Sequence, residues 1–337
     1  MVNLYALALE ISQLITQGMK PSTLATASCL LMRWKENLVK QQEYTANLLL
    51  LLTAAIWGFA FVAQRVGMEY IGPFTFNGVR FALGSLSLTP LLLYEYHSRQ
   101  KSAAVSQPQQ SALLPGVLAG TVLFVGASLQ QVALVYTTAG KAAFLTSLYL
   151  ILVPLMGLFF KHVISGSTWA GALLAACGVY LLSVTEQFSV AYGDSLALAG
   201  AIFWALHILI IDYFSRRVNV LQLSCIQFII CSVLSLGVAL VFESIAFSAL
   251  QQAAIPLLYG GIASVGIAYT LQVVGQKNAK PTHAAIILSM ETIFAAIGGW
   301  LLLQEDMSLR GLLGCALMLA GMLLPQLDQA RVPAASN

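Results

Sequence analysis

Charge is what this sequence has least of. Of its 337 residues only 9% are Asp, Glu, Lys or Arg, against about 25% in an ordinary soluble domain. Hydrophobic residues make up 59% and the mean hydropathy is +0.83. A chain with so few polar side chains cannot cover a water-facing surface, which excludes a soluble globular enzyme and a disordered chain. The formal charge of +3 is too small and too scattered for a nucleic-acid binder. The five cysteines (Cys29, Cys177, Cys225, Cys231 and Cys315) show no CxxC pairing and no His/Cys ligand spacing. They read as small buried hydrophobes and imply neither a disulfide framework nor a metal site. Also missing are HExxH, GxSxG, a Walker-type GxxxxGK and a DxDxDG run, so no catalytic constellation, cofactor or ATP site is implied. What remains is an all-α integral membrane protein whose first partner is the lipid bilayer.

About 20 mostly apolar residues cross the hydrocarbon as a helix. By that ruler the uncharged runs predict ten spans, near 47–64, 73–94, 113–136, 142–160, 167–184, 195–212, 220–242, 254–275, 282–303 and 309–326. With the N-terminus cytoplasmic, the inner loops and tails hold 11 basic residues, among them Arg33, Lys35, Lys161, Arg216 and Arg217. The outer side holds three: Arg65, Lys141 and Arg310. The acidic residues Glu69, Glu186, Asp194, Glu243, Glu305 and Asp306 lean outward. Basic residues in short loops mark the cytoplasmic side, so both termini are expected inside a cell (cytoplasmic) membrane. Residues 1–46 form a cytoplasmic extension and 327–337 a cytoplasmic tail. The extension has no basic n-region leading into an apolar h-region, so no cleaved signal peptide is expected. Leu4, Leu7, Ala8, Ile11, Leu14 and Ile15 fall at helical spacing, which suits an amphipathic surface helix. The alternative is a start site at Met32, ahead of Arg33-Trp34-Lys35.

The two halves resemble each other. A shift of 147 places Trp57 on Trp204, Arg80 on Gln227 and Phe81 on Phe228. A shift of 141 places Gln131 on Gln272, Ala143 on Ala284 and Gly157 on Gly298, and one of 143 places Gly171 on Gly314 and Gly178 on Gly321. Each half, 47–184 and 195–326, is then a unit of five helices. An odd number of spans inverts the second copy in the membrane, a feature of secondary transporters.

Four stretches carry a family likeness: Leu52–Gly58 (LTAAIWG), Gly72–Arg80 (GPFTFNGVR), Gly140–Gly157 (GKAAFLTSLYLILVPLMG) and Leu288–Asp306 (LSMETIFAAIGGWLLLQED). With these the chain resembles the EamA family of ten-helix transporters in the drug/metabolite transporter superfamily, over about 47–326. The last stretch is similar to the family's Glu-Pro pair, small-residue run and closing Glu, matched by Glu291 and Glu305. Thr292 stands where the family has Pro, and Leu150 stands in the first half where Glu291 stands in the second.

Glu291 is the most informative residue. At 1.5 Å per residue it lies ~13 Å into span 9, near the midplane. A carboxylate there is usually paired, protonated or facing a wet cavity; it is either functional or a structural, hydrogen-bonded carboxyl. Arg80, ~11 Å from the outer end of span 2, can snorkel, cap a helix or balance Glu291. Trp57 and Trp204 form either an aromatic cavity wall or plain packing. His207, one turn beyond Trp204, is a proton relay or a bonded core histidine. Gln131 and Gln272 suit gates at opposite mouths, or interhelical glue. Tyr149, Tyr269 and Pro154 complete the candidate lining.

The expected function is secondary transport, as export, of a small metabolite or amino-acid-like solute by a monomer. Alternating access about a cavity lined by spans 1, 3, 4, 6, 8 and 9 is what the resemblance implies. Coupling to protons through Glu291 or His207 is one energetic scheme, facilitated diffusion the other. A sugar-phosphate or nucleotide-sugar carrier and a non-transporting scaffold are the alternatives; the former wants several cations, and only Arg80 is available.

Overall fold

The computed structural model describes residues 21–101, 110–156, 165–183, 190–215, 217–278 and 287–331. The expected surface helix at Leu4–Ile15, the ends of spans 4 and 9 at 157–160 and 282–286, Ala284 and the last tail residues lie outside them. The described residues form α1 (Pro21–Gly67), α2 (Pro73–Lys101), α3 (Leu113–Tyr136), α4 (Ala139–Thr146), α5 (Tyr149–Met156), α6 (Gly166–Ser183) and α7 (Tyr192–Ser215). After these come α8 (Val220–Phe242), α9 (Phe247–Gln252), α10 (Ala254–Leu258), a π-helix (Tyr259–Ala268), α11 (Tyr269–Asn278), α12 (Glu291–Leu303) and α13 (Leu309–Arg331).

Among the described residues seven segments are long and apolar enough to cross a bilayer: Gln41–Gly67, Pro73–Glu95, Leu113–Tyr136, Ala139–Met156, Tyr192–Ile211, Val220–Phe242 and Ala254–Gln272. Gly166–Leu182, Ile287–Leu303 and Leu309–Leu324 are shorter apolar helices. They lie where spans 5, 9 and 10 are expected. Helix α1 continues well ahead of the expected start at 47, since 21–46 contains no Gly and only Pro21 at its head, where proline is tolerated.

The outward faces are apolar. Leu48, Leu52, Ile202, Val233, Leu240, Leu302 and Leu313 are all exposed, a surface that water would not tolerate over such an area but lipid does. The inward faces are small or polar. Helices α6 and α13 cross so closely that a methyl at Gly178 would stand 2.6 Å from the Gly314 carbonyl oxygen, the close approach by which small residues join helices in lipid. Helix α1 packs on α11 and α12, α2 on α8 and the π-helix, and α3 on α7 and α8.

Candidate functional site

The site begins with two interrupted helices. In the Ala139–Met156 segment the α-helical ladder gives way at Ser147 and Leu148. There Leu148 N bonds Leu145 O at 3.3 Å, Leu150 N bonds Ser147 O at 3.0 Å and Ile151 N bonds Leu148 O at 2.9 Å. In the Ile287–Leu303 segment the interruption is at Met290, whose N–H reaches Ile287 O at 3.1 Å. Short i→i−3 stretches inside a helix often mark a functional site. Their causes are local. Thr292 Oγ1 donates back to Ser289 O at 2.9 Å, and such back-bonding bends helices. Threonine thus does part of what proline does elsewhere in the family pattern. In the first segment the interruption falls ahead of Pro154, which lies within α5; the turn is made at Ser147.

The interruptions face each other. Glu291, only 5% exposed, is the first residue of α12. Its Oε1 accepts from Ser147 Oγ and from Tyr149 Oη, both at 3.1 Å. Both bonds land on one oxygen, and Oε2 has no hydrogen-bond partner among the described residues. Helix α1 closes the other side: a methyl on Gly58 would lie 2.7 Å from Glu291 O and 2.9 Å from Ala295 N. The backbone of α1 therefore touches that of α12 at the carboxyl, and only glycine fits.

An aromatic wall runs from this junction. Trp57 Nε1 donates to Ser264 O at 3.1 Å, a carbonyl of the π-helix, and its ring meets Tyr269 edge-on at 5.1 Å. Tyr269 meets Phe228 at 5.3 Å and Phe228 meets Phe81 at 5.9 Å. Trp204 packs against the same cluster. Tyr269 thus links Trp57 to the Phe228–Phe81 pair.

Arg80 is 4% exposed. Its guanidinium carbon lies 4.7 Å from the Phe81 ring centroid and 5.9 Å from that of Phe76. Its Nε has no hydrogen-bond partner, and no carboxylate pairs with it among the described residues. A cation–π contact is worth up to about 2 kcal/mol, whereas burying an unpaired charge costs several; the aromatic faces alone leave Arg80 undercompensated.

His207 and the glutamines are brought elsewhere. His207 Nε2 bonds Gln227 Oε1 at 2.8 Å, the geometry of a satisfied core histidine, with Trp204 edge-on at 6.0 Å. Gln131 donates to Gln64 O at 3.1 Å, and Gln130 to Gln64 Oε1 at 3.1 Å, which joins α3 to α1. Gln272 is half-buried on α11.

Sequence reasoning missed Ser147 as a partner of Glu291, since an isolated serine in an apolar run carries no signal. It also missed a set of carboxylate ties at one end of the bundle. Glu243 accepts from Phe74 N at 2.9 Å, Thr75 N at 2.7 Å and Thr75 Oγ1 at 2.7 Å, capping α2. Glu305 accepts from Ala139 N at 2.8 Å and Gly140 N at 3.4 Å, capping α4. It reaches them because Gln304 turns the chain in the left-handed region, φ 53°, which few non-glycine residues adopt. Asp194 pairs with Lys141 Nζ at 2.7 Å and accepts from Thr137 Oγ1 at 2.6 Å. Beside these ties lies a cavity of about 400 Å³ lined by Arg65, Glu69, Tyr136, Thr138, Lys141 and Glu305.

Comparison with known proteins follows the same lines. The sequence profile of the EamA-like transporter family matches residues 44–184 and 191–325. An uncharacterized transporter of Archaeoglobus fulgidus is 31% identical over 302 residues, covering 87% of this chain and 92% of that protein. The uncharacterized transporters YoaV and YetK of Bacillus subtilis are 21% and 26% identical. They are covered over 92% and 87% of their lengths, for 80% and 84% of this chain. A crystal structure superposes with a TM-score of 0.59 at 20% identity, covering 86% of this chain and 98% of its own; that likeness concerns the fold.

Proposed function

The chain belongs to the EamA-like transporter family, and from that premise we propose that it is a secondary transporter exporting a small, amino-acid-like solute by alternating access. It is a multi-pass membrane transporter of the drug/metabolite superfamily; the solute, direction and mechanism are the reading argued from the site. One observation carries it: a buried carboxyl whose hydrogen bonds among the described residues both fall on one oxygen, at the junction of two interrupted helices. Membrane transporters bind solutes and coupling ions at such discontinuous helices. The solute's cationic group and a proton compete for Glu291, while Trp57, Tyr269 and Trp204 hold the apolar part. Competition of this kind couples solute efflux to proton entry.

In this reading ten spans form two inverted five-helix units, 47–184 and 195–326, working as a monomer with both termini in the cytoplasm. The helix pairings support it, because they recur with the halves exchanged. Helix α1 packs on α12 as α7 packs on α4 and α5, α1 packs on α11 as α7 packs on α3, and α2 packs on the π-helix as α8 packs on α3. On this topology the carboxylate ties lie on the outer face. Reporter fusions after Ser215 and Asn337 should read cytoplasmic and one after Ser248 external; Ser215 and Asn337 on opposite sides of the membrane contradict the inverted repeat.

The function itself is tested with the full chain in proteoliposomes loaded with a mixture of amino acids, amines and small organic acids. Mass spectrometry should find protein-dependent loss of one or a few amino-acid-like solutes, faster with an inward proton gradient. Retention of every solute overturns the proposal.

A further inference from the structure

Helices α2 and α8, one from each half of the chain, are joined along their whole length. At one end Glu243, which closes α8, accepts from Phe74 N and Thr75 N of α2. At the other end Asn219, the N-cap of α8, donates to Glu95 Oε1 of α2 at 2.7 Å. Between them Ser232 Oγ donates to Gly78 O at 2.7 Å, and the Cys225 thiol lies 4.0 Å from Ser85 O. The repeat shift of 147 carries Gly78 to Cys225, Ser85 to Ser232, and Glu95 to the residue before Glu243. Exchanging the halves therefore maps the contacts of this pair onto one another.

Helix α4 is held differently. Lys141 Nζ pairs with Asp194 Oδ2 at 2.7 Å, and Thr137 Oγ1, just ahead of α4, donates to Asp194 Oδ1 at 2.6 Å. Glu305 accepts from Ala139 N and Gly140 N. Both carboxylates belong to the second segment matched by the family profile, 191–325, and every donor to the first, 44–184. These ties have no image under the repeat. A shift of 147 returns Asp194 to Asn47, and one of 141 carries Lys141 to Thr282 and returns Glu305 to Ile164. Those residues can form neither the ion pair nor the carboxylate cap. In an inverted-repeat transporter the two open states arise as the halves exchange conformations. Contacts that the exchange maps onto one another hold in both states, and contacts without an image hold in only one.

We propose that Lys141 and Asp194 are gate residues of the transport cycle. Their ion pair, on the outer face in the topology above, closes one state and breaks once per turnover, while α2 and α8 stay joined as the axis. The proposal rests on the inverted-repeat transporter reading and names the part that moves. The surroundings suit a pair that opens. The Lys141 side chain is 25% exposed and borders the cavity of about 400 Å³ together with Thr137, Thr138 and Glu305, so water reaches the ammonium as the pair separates. Asp194 stands in the first turn of α7, where the helix dipole favours its charge with or without the lysine.

The test bridges the two halves at the same end of the molecule in two ways. Thr137→Cys with Asp194→Cys joins the gate, and Thr75→Cys with Glu243→Cys joins the axis. The replaced side chains meet at 2.6 Å in the first pair and 2.7 Å in the second. A short bis-methanethiosulfonate bridges each pair in proteoliposomes, a reductant removes the bridge, and the wild type is treated in parallel. Bridging the gate should abolish efflux of the solute mixture, with recovery on reduction, and bridging the axis should leave efflux unchanged. Efflux that survives the gate bridge, or stops with the axis bridge, overturns the assignment. If a variant does not fold, or the reagent stops the wild type, amide hydrogen exchange of the wild type in nanodiscs decides. The amides of residues 139–141 should exchange at least about tenfold faster than those of 74–76, because opening frees the start of α4 and not that of α2. Equal or slower exchange at 139–141 overturns the gate. A wild type that exports no solute overturns the transporter reading and the gate with it, whereas efflux across a bridged gate removes the gate alone.

Discussion

The interior and the end of the bundle both use carboxylates, and they use them in opposite ways. At the end, Glu243 accepts three hydrogen bonds, Glu305 two, and Asp194 has a lysine and a threonine hydroxyl. Each sits at a helix N-terminus or a cation, where negative charge is welcome. Each has a partner on both of its oxygens, and a carboxylate held in that way fixes structure. Glu291 accepts two bonds on one oxygen, faces no cation within bonding distance among the described residues, and leaves its other oxygen open. An acid kept partly unsatisfied in an apolar bundle is costly, and it persists where a transient partner completes it. The difference lies in how the partners are spread, over both oxygens at the end of the bundle and on one oxygen in the interior, where the proposed function places the chemistry.

The comparison is broken most severely through the backbone. Gly58→Val places atoms against Glu291 O and Ala295 N, which cannot give way as a side-chain tip would. It should lower stability by about 3 kcal/mol or more, read as Tm in nanodiscs, and the surviving protein should not transport. Gly178→Val, at the α6–α13 crossing, should destabilise comparably. Its surviving protein should keep the wild-type dependence of transport on pH, because that crossing is not part of the site.

Asp194→Asn is the next largest effect. It strips the charge from a fully buried tie and leaves Lys141 without its partner. The expected loss is about 2 kcal/mol, seen as a lower Tm, with solute selectivity unchanged. A change of selectivity with Tm intact would move Asp194 from scaffold to site.

How much of this was legible in the sequence depends on the kind of signal. Glu291 stood out because a lone charge in an apolar run is expensive wherever the run folds. Trp57, Tyr269 and Trp204 were legible as a set, two of them through the repeat. Arg80 was legible as a buried charge but not as an unpartnered one, since its surroundings are set by the packing of α2 on α8 and the π-helix, distant in the chain. The interruption at Ser147 and Leu148 was not legible, because neither residue is a helix breaker. The π-helix at Tyr259–Ala268 left only glycines as a trace. Glu243 and Glu305 were read only as outward acidic bias, because a cap supplied by another helix has no local spacing. His207 has a relay's chemistry in sequence, and its bond to Gln227 is a tertiary fact.

The smallest effect sharpens the comparison at its edge. Gln131→Leu removes a buried bond to Gln64 O and should cost only about 0.6 kcal/mol, a slight fall in Tm with transport retained. Abolished transport at an unchanged Tm would restore Gln131 as a gate.

The measurement closest to the central claim is solute transport as a function of pH in proteoliposomes, for wild type and Glu291→Gln at matched protein amounts. Glutamine preserves shape and can still accept from Ser147 and Tyr149, but it carries no charge and exchanges no proton. The account predicts a folded variant whose net transport is lost or has become independent of pH, with solute exchange remaining. Superimposable pH profiles for the two proteins would contradict it, and would make Glu291 one more carboxyl that only holds helices together.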